Sequence, residues 1–150
     1  MTPEISLPRI TVAAIVPDGD RYLLVEERSE GQTVLNQPAG HLDPGETLIA
    51  AVIRETLEES AWDVEPVGLI GIYQLVLPHV HYVRMAFLCH PLRHHPERAL
   101  DTDILRTHWM TRAELASGAI SHRSPLVLRC IDDHQQGRRW PLEQIVEPVR

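Results

Sequence analysis

Three glutamates, Glu55, Glu58 and Glu59, follow one another at steps of three and one. On an α-helix, which turns about 100° per residue, those steps gather the three carboxylates into one sector of roughly 100°. Their mutual repulsion costs an isolated helix about a few tenths of a kcal/mol per pair, so positive charge should answer them. Oxygen-only ligands with several carboxylates and room for water are what magnesium or manganese prefers over zinc. A bare Glu-x-x-Glu-Glu is also the pattern of an ordinary solvated helix face, and the spacing alone does not choose between the two.

The elements around the triad decide how it is presented. Thr47 can cap a helix, and Leu48 to Glu59 contains neither Gly nor Pro, which predicts about three turns entered from the Asp43-Pro44-Gly45 stop. Ile49, Ile53 and Leu57 form an apolar sector on that helix, to be buried. Upstream, Ile10 to Val16 and Tyr22 to Val25 read as a hairpin about Pro17-Asp18-Gly19-Asp20, followed by a polar loop from Glu26 to Gln32 and a short extended piece from Val34 to Ala39. Downstream, Val67 to Leu77 and Tyr82 to Cys89 predict a second hairpin, Pro91 to Thr102 a loop, and Ile104 to Met110 a strand. Thr111-Arg112-Ala113-Glu114 is a capping box opening a short helix, and Ser124-Pro125 begins a last helix that Gly137 stops. Strand pairs alternating with helices predict an α/β fold, a mixed sheet flanked by helices.

The wider register gives the triad its meaning. Gly40, Glu46 six positions on, Arg54 eight further, then Glu55, Glu58 and Glu59 resemble the box of the Nudix family: Gly, five residues, Glu, seven residues, then Arg-Glu-aliphatic-any-Glu-Glu-any-Gly-aliphatic. Every charged position matches. Two structural positions depart, with Thr56 in place of an aliphatic residue and Ala61 in place of the helix-ending glycine. In a left-handed terminating conformation Ala costs about 1 kcal/mol relative to Gly. The resemblance covers essentially the whole chain and implies a Nudix α/β/α sandwich, residues 1–150 forming a single Nudix hydrolase domain. It implies a magnesium site, which manganese can also fill, held by Glu55, Glu58, Glu59 and the Gly40 carbonyl, with Glu55 or Glu59 as the base. It makes Glu46 and Arg54 a paired scaffold.

Composition agrees with a metal enzyme. Across 150 residues, 14 Lys plus Arg stand against 21 Asp plus Glu, a formal net charge of -7. That argues against nucleic acid as a partner, and a polyanionic substrate would need cations supplied locally. Cys89 and Cys130 lie far apart with no zinc spacing, which suits two reduced cysteines in a cytoplasmic protein. Met1 to Pro8 lacks the signature of a leader or anchor, and no apolar run reaches membrane length. The histidine pairs His94-His95 and His79-x-His81 lack a third ligand and read as solvated loop. The chain is expected to act as a monomer or homodimer on a small phosphoanhydride.

The box says how an anhydride is cut, not what is attached to it. Asn36-Gln37-Pro38-Ala39-Gly40-His41-Leu42, Arg123-Ser124-Pro125-Leu126-Val127 and Pro141-Leu142-Glu143 are similar to the NudJ branch of the family. That likeness implies a broad phosphatase releasing orthophosphate from nucleoside di- and triphosphates and from hydroxymethylpyrimidine pyrophosphate. The alternatives are a MutT-like nucleoside triphosphate or nucleotide-sugar pyrophosphohydrolase and, outside enzymes, a Nudix-fold nucleotide-binding sensor, against which the retained charges argue. Arg28, Arg84 and Arg123 are candidate phosphate clamps. Asn36, Tyr73, Gln74 and Trp109 are candidate ring partners, with Trp109 better suited to packing. Asp103 is preferred to Asp101 as an extra acidic group.

Overall fold

The computed structural model describes residues 7–149; Met1 to Ser6, most of the segment read as neither leader nor anchor, lie outside the described residues. The chain runs β1 (Arg9–Ile15), β2 (Pro17–Asp18), β3 (Arg21–Ser29), β4 (Gln32–Asn36), β5 (Ala39–His41), α1 (Leu48–Ser60), β6 (Trp62–Val76) and β7 (His81–His94). It continues through β8 (Ile104–Thr111), α2 (Arg112–Ala116), β9 (Ser121–His122), α3 (Leu126–Gln135) and a 3-10 turn at Leu142–Gln144. No helix among the described residues is long and apolar enough to cross a membrane.

Two sheets carry the strands. One has the order β5-β1-β7-β6, with β1 parallel to β7 and the other pairs antiparallel. In the other, β3 is flanked by β8 along one edge and by β2 and β4 along the opposite one, and β9 lies parallel to β4. One core, including Val12, Ala14, Leu23, Phe87 and Cys89, packs against Ala51 and Val52 of α1. A second, including Ile15, Leu24, Leu35, Ile70 and Leu88, packs against Leu115 of α2 and Val127, Cys130 and Ile131 of α3. Mixed sheet between helices is the expected α/β/α layering.

Several boundaries differ from the sequence reading. The first hairpin consists only of the two-residue β2 against β3; β1 turns away to join β5 and β7. The polar stretch from Glu26 onward is strand, not loop. β3 runs to Ser29 and returns at Gln32 through Glu30 and Gly31, both at positive φ (51° and 77°), as a tight hairpin turn requires. Residues Pro91 to His94 extend β7 instead of opening a loop. The face of α1 also differs: Ala51, Val52, Thr56, Glu59 and Ser60 are buried, while Ile49, Ile53 and Leu57 are only half-buried. Small side chains let the helix approach the sheet closely, and Thr56 and Ser60 satisfy their hydroxyls on the carbonyls of Val52 (2.7 Å) and Thr56 (2.6 Å). That rotation turns Glu59 inward.

The helix punctuation is local and clear. Thr47 Oγ1 accepts the Ala50 N–H, and Ala61 ends α1 in the left-handed region at φ 61°, its N–H donating to the Leu57 carbonyl. At α2 the Glu114 N–H donates to Thr111 Oγ1, while the Thr111 hydroxyl, not its N–H, donates to the Glu114 carboxylate. α3 begins one residue later than predicted, with Pro125 as its cap and Ser124 Oγ accepting the Leu126 N–H at 3.2 Å.

Candidate active site

The loop between β5 and α1 is tied to the helix by one side chain. Arg54 donates through Nε to Glu46 Oε2 (2.7 Å) and through Nη2 to Glu46 Oε1 (2.9 Å), and Nη2 also reaches the His41 carbonyl at 3.2 Å. Glu46 accepts the Asp43 N–H as well. A bidentate guanidinium–carboxylate pair fixes geometry as well as charge. It holds the Glu46 carboxyl below the usual carboxylate range and Arg54 above its own ordinary value. The free side of the same guanidinium faces the triad, Nη1 donating to Glu55 Oε1 at 2.9 Å and Glu58 Oε2 at 3.2 Å.

Each box carboxylate then has its own surroundings. Glu55 lies so close over Gly40 that a Cβ there would overlap its carboxylate; burial raises its pKa, against the pull of Arg54. Glu58 is one-third exposed. Glu59 accepts the Ala39 N–H at 2.9 Å. Burial nevertheless pushes its pKa up to about 9, helped by the nearby charges of Glu27, Glu55 and Asp101. Ligand oxygens of Glu55, Glu58 and Asp101 all lie within 4.8 Å of one another, the one such group among the described residues. Asp101 arrives from the β7–β8 connection, its N–H donating to the Glu58 carbonyl at the end of α1. An all-oxygen cluster of three carboxylates, with one guanidinium edge to answer them, fits a hard divalent cation.

Beside the cluster opens a cleft of about 460 Å³, lined by Glu59 and Asp101 on one side and by Glu27, Arg28, Asp103 and Arg123 among others.

The NUDIX domain model matches residues 7–129. The chain belongs to the Nudix family. It is 37% identical over 139 residues to the phosphatase NudJ of Escherichia coli K12, covering 92% of this chain and 90% of that protein. It is also similar to a solved Nudix hydrolase from Nitrosomonas europaea, with a TM-score of 0.91 and 41% identity over 95% of this chain and 98% of that one. A UDP-X diphosphatase structure shares the fold at a TM-score of 0.73 and 16% identity, covering 93% and 68%. As a Nudix protein this chain is a hydrolase of phosphorus-containing anhydrides, in a family that generally uses divalent metal.

Set against the Nudix box, the remaining candidates divide. Arg28, Asp103 and Arg123 line the cleft. Arg84 is buried beneath it, its Nη1 donating to Gln37 Oε1 (2.9 Å) and Nη2 to Asn36 Oδ1 (3.0 Å), with no carboxylate partner among the described residues. Asn36 is buried and meets the cleft wall only through Glu27, at 3.5 Å. Tyr73 is tied to α3 by its hydroxyl bond to Asp133 (2.6 Å), Gln74 is exposed, and Trp109 is half-buried, packed edge-on against Trp62 at the margin of the core. The acidic group that joins Glu55 and Glu58 is Asp101, not Asp103, whose carbonyl instead accepts the Arg28 N–H.

Of the cleft carboxylates, Asp101 was weighed in the sequence but ranked behind Asp103, and Glu27 was missed. Glu27 had a signal, since the period of two through Leu23 and Val25 lands on it.

Proposed function

We propose that residues 1–150 act as one magnesium-dependent Nudix hydrolase, with manganese able to substitute. Its reaction is that of a NudJ-like phosphatase, releasing orthophosphate from nucleoside di- and triphosphates and from hydroxymethylpyrimidine pyrophosphate. The observation that carries this reading is the convergence of Glu55, Glu58 and Asp101 beside a polar cleft, in a chain 37% identical to the phosphatase NudJ along nearly all of both proteins.

Glu55, Glu58, Glu59 and the Gly40 carbonyl hold the cation in this reading, with Asp101 completing the oxygen donors. Bound there, the metal supplies charge neutralisation for the phosphate chain and acidification of a water. Glu55 or Glu59 takes the proton from the attacking water. Glu46 and Arg54 fix the loop that carries Gly40, and Arg28 and Arg123 receive phosphate oxygens across the cleft.

The test is a panel of nucleoside triphosphates, nucleoside diphosphates, nucleotide sugars and hydroxymethylpyrimidine pyrophosphate. Each is assayed with magnesium and with manganese, scoring orthophosphate and pyrophosphate separately. Orthophosphate release that stops on chelation is the expected result. Pyrophosphate release, or cleavage of nucleotide sugars, would replace it with MutT-like or nucleotide-sugar chemistry, and no turnover on any member would overturn the enzyme reading.

A further inference from the structure

β3 is flanked on both edges, by β4 and by β8, and its burial from Tyr22 to Glu27 is unbroken. Closing that buried run with two carboxylates is costly unless each is answered. Both are. The β3–β8 register shifts between Glu26 and Glu27, and a bulge of this kind re-aims the side chains on either side of it. Glu26 meets His108 at 2.9 Å. Glu27 meets the cleft, where its Oε1 accepts Arg123 Nη1 at 2.9 Å and Asn36 Nδ2 at 3.5 Å.

The two members of the Glu27–Arg123 pair are unequal. The Glu27 side chain is 10% exposed and fixed from behind by Asn36, which is itself held by Arg84; the Arg123 side chain is 42% exposed. Arg123 has its backbone pinned by donating its N–H to the Leu35 carbonyl at 2.8 Å. One of its five guanidinium N–H groups is committed to Glu27, and the others remain for a ligand in the cleft. A buried carboxylate kept for stability alone would be better replaced by an apolar residue of like size. A bare one in this cleft would also repel phosphate, which the pairing prevents.

We infer that Glu27 is a positioning residue: it holds Arg123 against the cleft wall so that its free N–H groups receive the substrate's phosphate chain. The inference rests on the phosphoanhydride reading above and assigns Glu27 no metal and no proton.

Steady-state kinetics of wild type, Glu27→Gln, Arg123→Gln and the double variant test it, with magnesium titrated for each and folding checked by thermal melting. Gln is isosteric with Glu, and Arg123 is partly exposed, so folded variants are expected. Arg123→Gln should raise KM about tenfold with little change in kcat, as loss of a ground-state phosphate contact does. Glu27→Gln should move KM the same way by a smaller factor, and the double variant should be no worse than Arg123→Gln alone, since Glu27 acts through Arg123. Multiplying effects in the double variant, a fall in kcat at unchanged KM, or a higher magnesium requirement in Glu27→Gln would overturn the assignment. Should the wild type cleave no member of the panel, the functional reading fails separately. The pair is then judged by calorimetric binding of inorganic pyrophosphate with magnesium. About tenfold weaker binding in Arg123→Gln and several-fold weaker binding in Glu27→Gln support the inference, and unchanged binding overturns it.

Discussion

At the scale of single residues, Glu59 combines a bonded carboxylate with deep burial, which protonation satisfies in metal-free protein and a cation would satisfy in its place. It accepts the Ala39 N–H, yet burial and three neighbouring carboxylates raise its pKa to about 9 from an ordinary value of 4.5. In metal-free protein the folded chain therefore keeps this proton where the unfolded chain has lost it. The resulting contribution to stability is fully present below about pH 4.5 and drains away as pH rises through about 9. Glu59→Gln, neutral at every pH, should stabilise chelated protein by several kcal/mol near pH 8 and flatten that slope, measured by urea unfolding in EDTA. A slope equal to that of wild type would contradict it. The same replacement should lower kcat by roughly 100-fold or more, as should Glu58→Gln, when turnover is measured at saturating magnesium. Near-full activity in both would remove the box from the chemistry. Gly40→Ala asks the converse question: its Cβ has no room beside the Glu55 carboxylate, so turnover should collapse while far-UV circular dichroism stays close to wild type.

At the scale of elements, α1 ends on a residue unsuited to its backbone. Ala61 sits at φ 61° and is buried, and its carbonyl accepts the His95 N–H at 2.8 Å, so the chain cannot relax there. Ala61→Gly should raise stability by about 1 kcal/mol without changing kcat, read from denaturation midpoints at unchanged slope; no gain would mean that glycine's greater unfolded-state entropy cancels the relief. This position was legible from the box register because helix endings are local. So were Thr47 and the Arg54–Glu46 brace, each fixed by residues within one or two turns. The strands were less legible. β1 follows a turn into β3, yet it pairs in parallel with β7 some seventy residues later, and nothing short-range in the sequence encodes that choice. Glu26 and Glu27 were read as loop because a buried run closed by two carboxylates breaks the apolar pattern that marks strands. Asp101 reaches the site only because the β7–β8 connection folds back onto the end of α1. Residues whose role follows from helical spacing could be found in the sequence, whereas those delivered by tertiary pairing could not.

At the scale of the whole molecule, stability against pH is set by groups on opposite sides of the sheet that pull in opposite directions. On the α3 side, His134 Nδ1 meets the Tyr22 hydroxyl at 2.6 Å, and burial lowers the histidine's pKa below its ordinary 6.5. The unfolded chain then takes up the proton first as pH falls. Stability is therefore fully present above about pH 6.5 and is lost as pH drops through the lower folded value. Asp132, held below its usual range by Arg112, acts in the same direction at still lower pH. Glu59, on the α1 side, acts in the reverse direction, penalising metal-free protein as pH rises. Chelated protein should thus be most stable at mildly acidic pH, caught between His134 and Glu59. A divalent cation bound at the box as proposed would remove the penalties that burial places on Glu59 and Glu55 and leave that of His134, because ligand binding to the folded state alone both stabilises it and favours the ionised carboxylate. The pH of maximum stability should therefore move upward when magnesium is added. The measurement is a set of urea unfolding curves from pH 5 to 9 with EDTA and with magnesium, for wild type, His134→Gln and Glu59→Gln. Glu59→Gln should shift the optimum of chelated protein toward that of the metal-loaded wild type, and His134→Gln should flatten only the acidic limb. An optimum at the same pH with and without metal would show that the buried carboxylate is not what the cation answers.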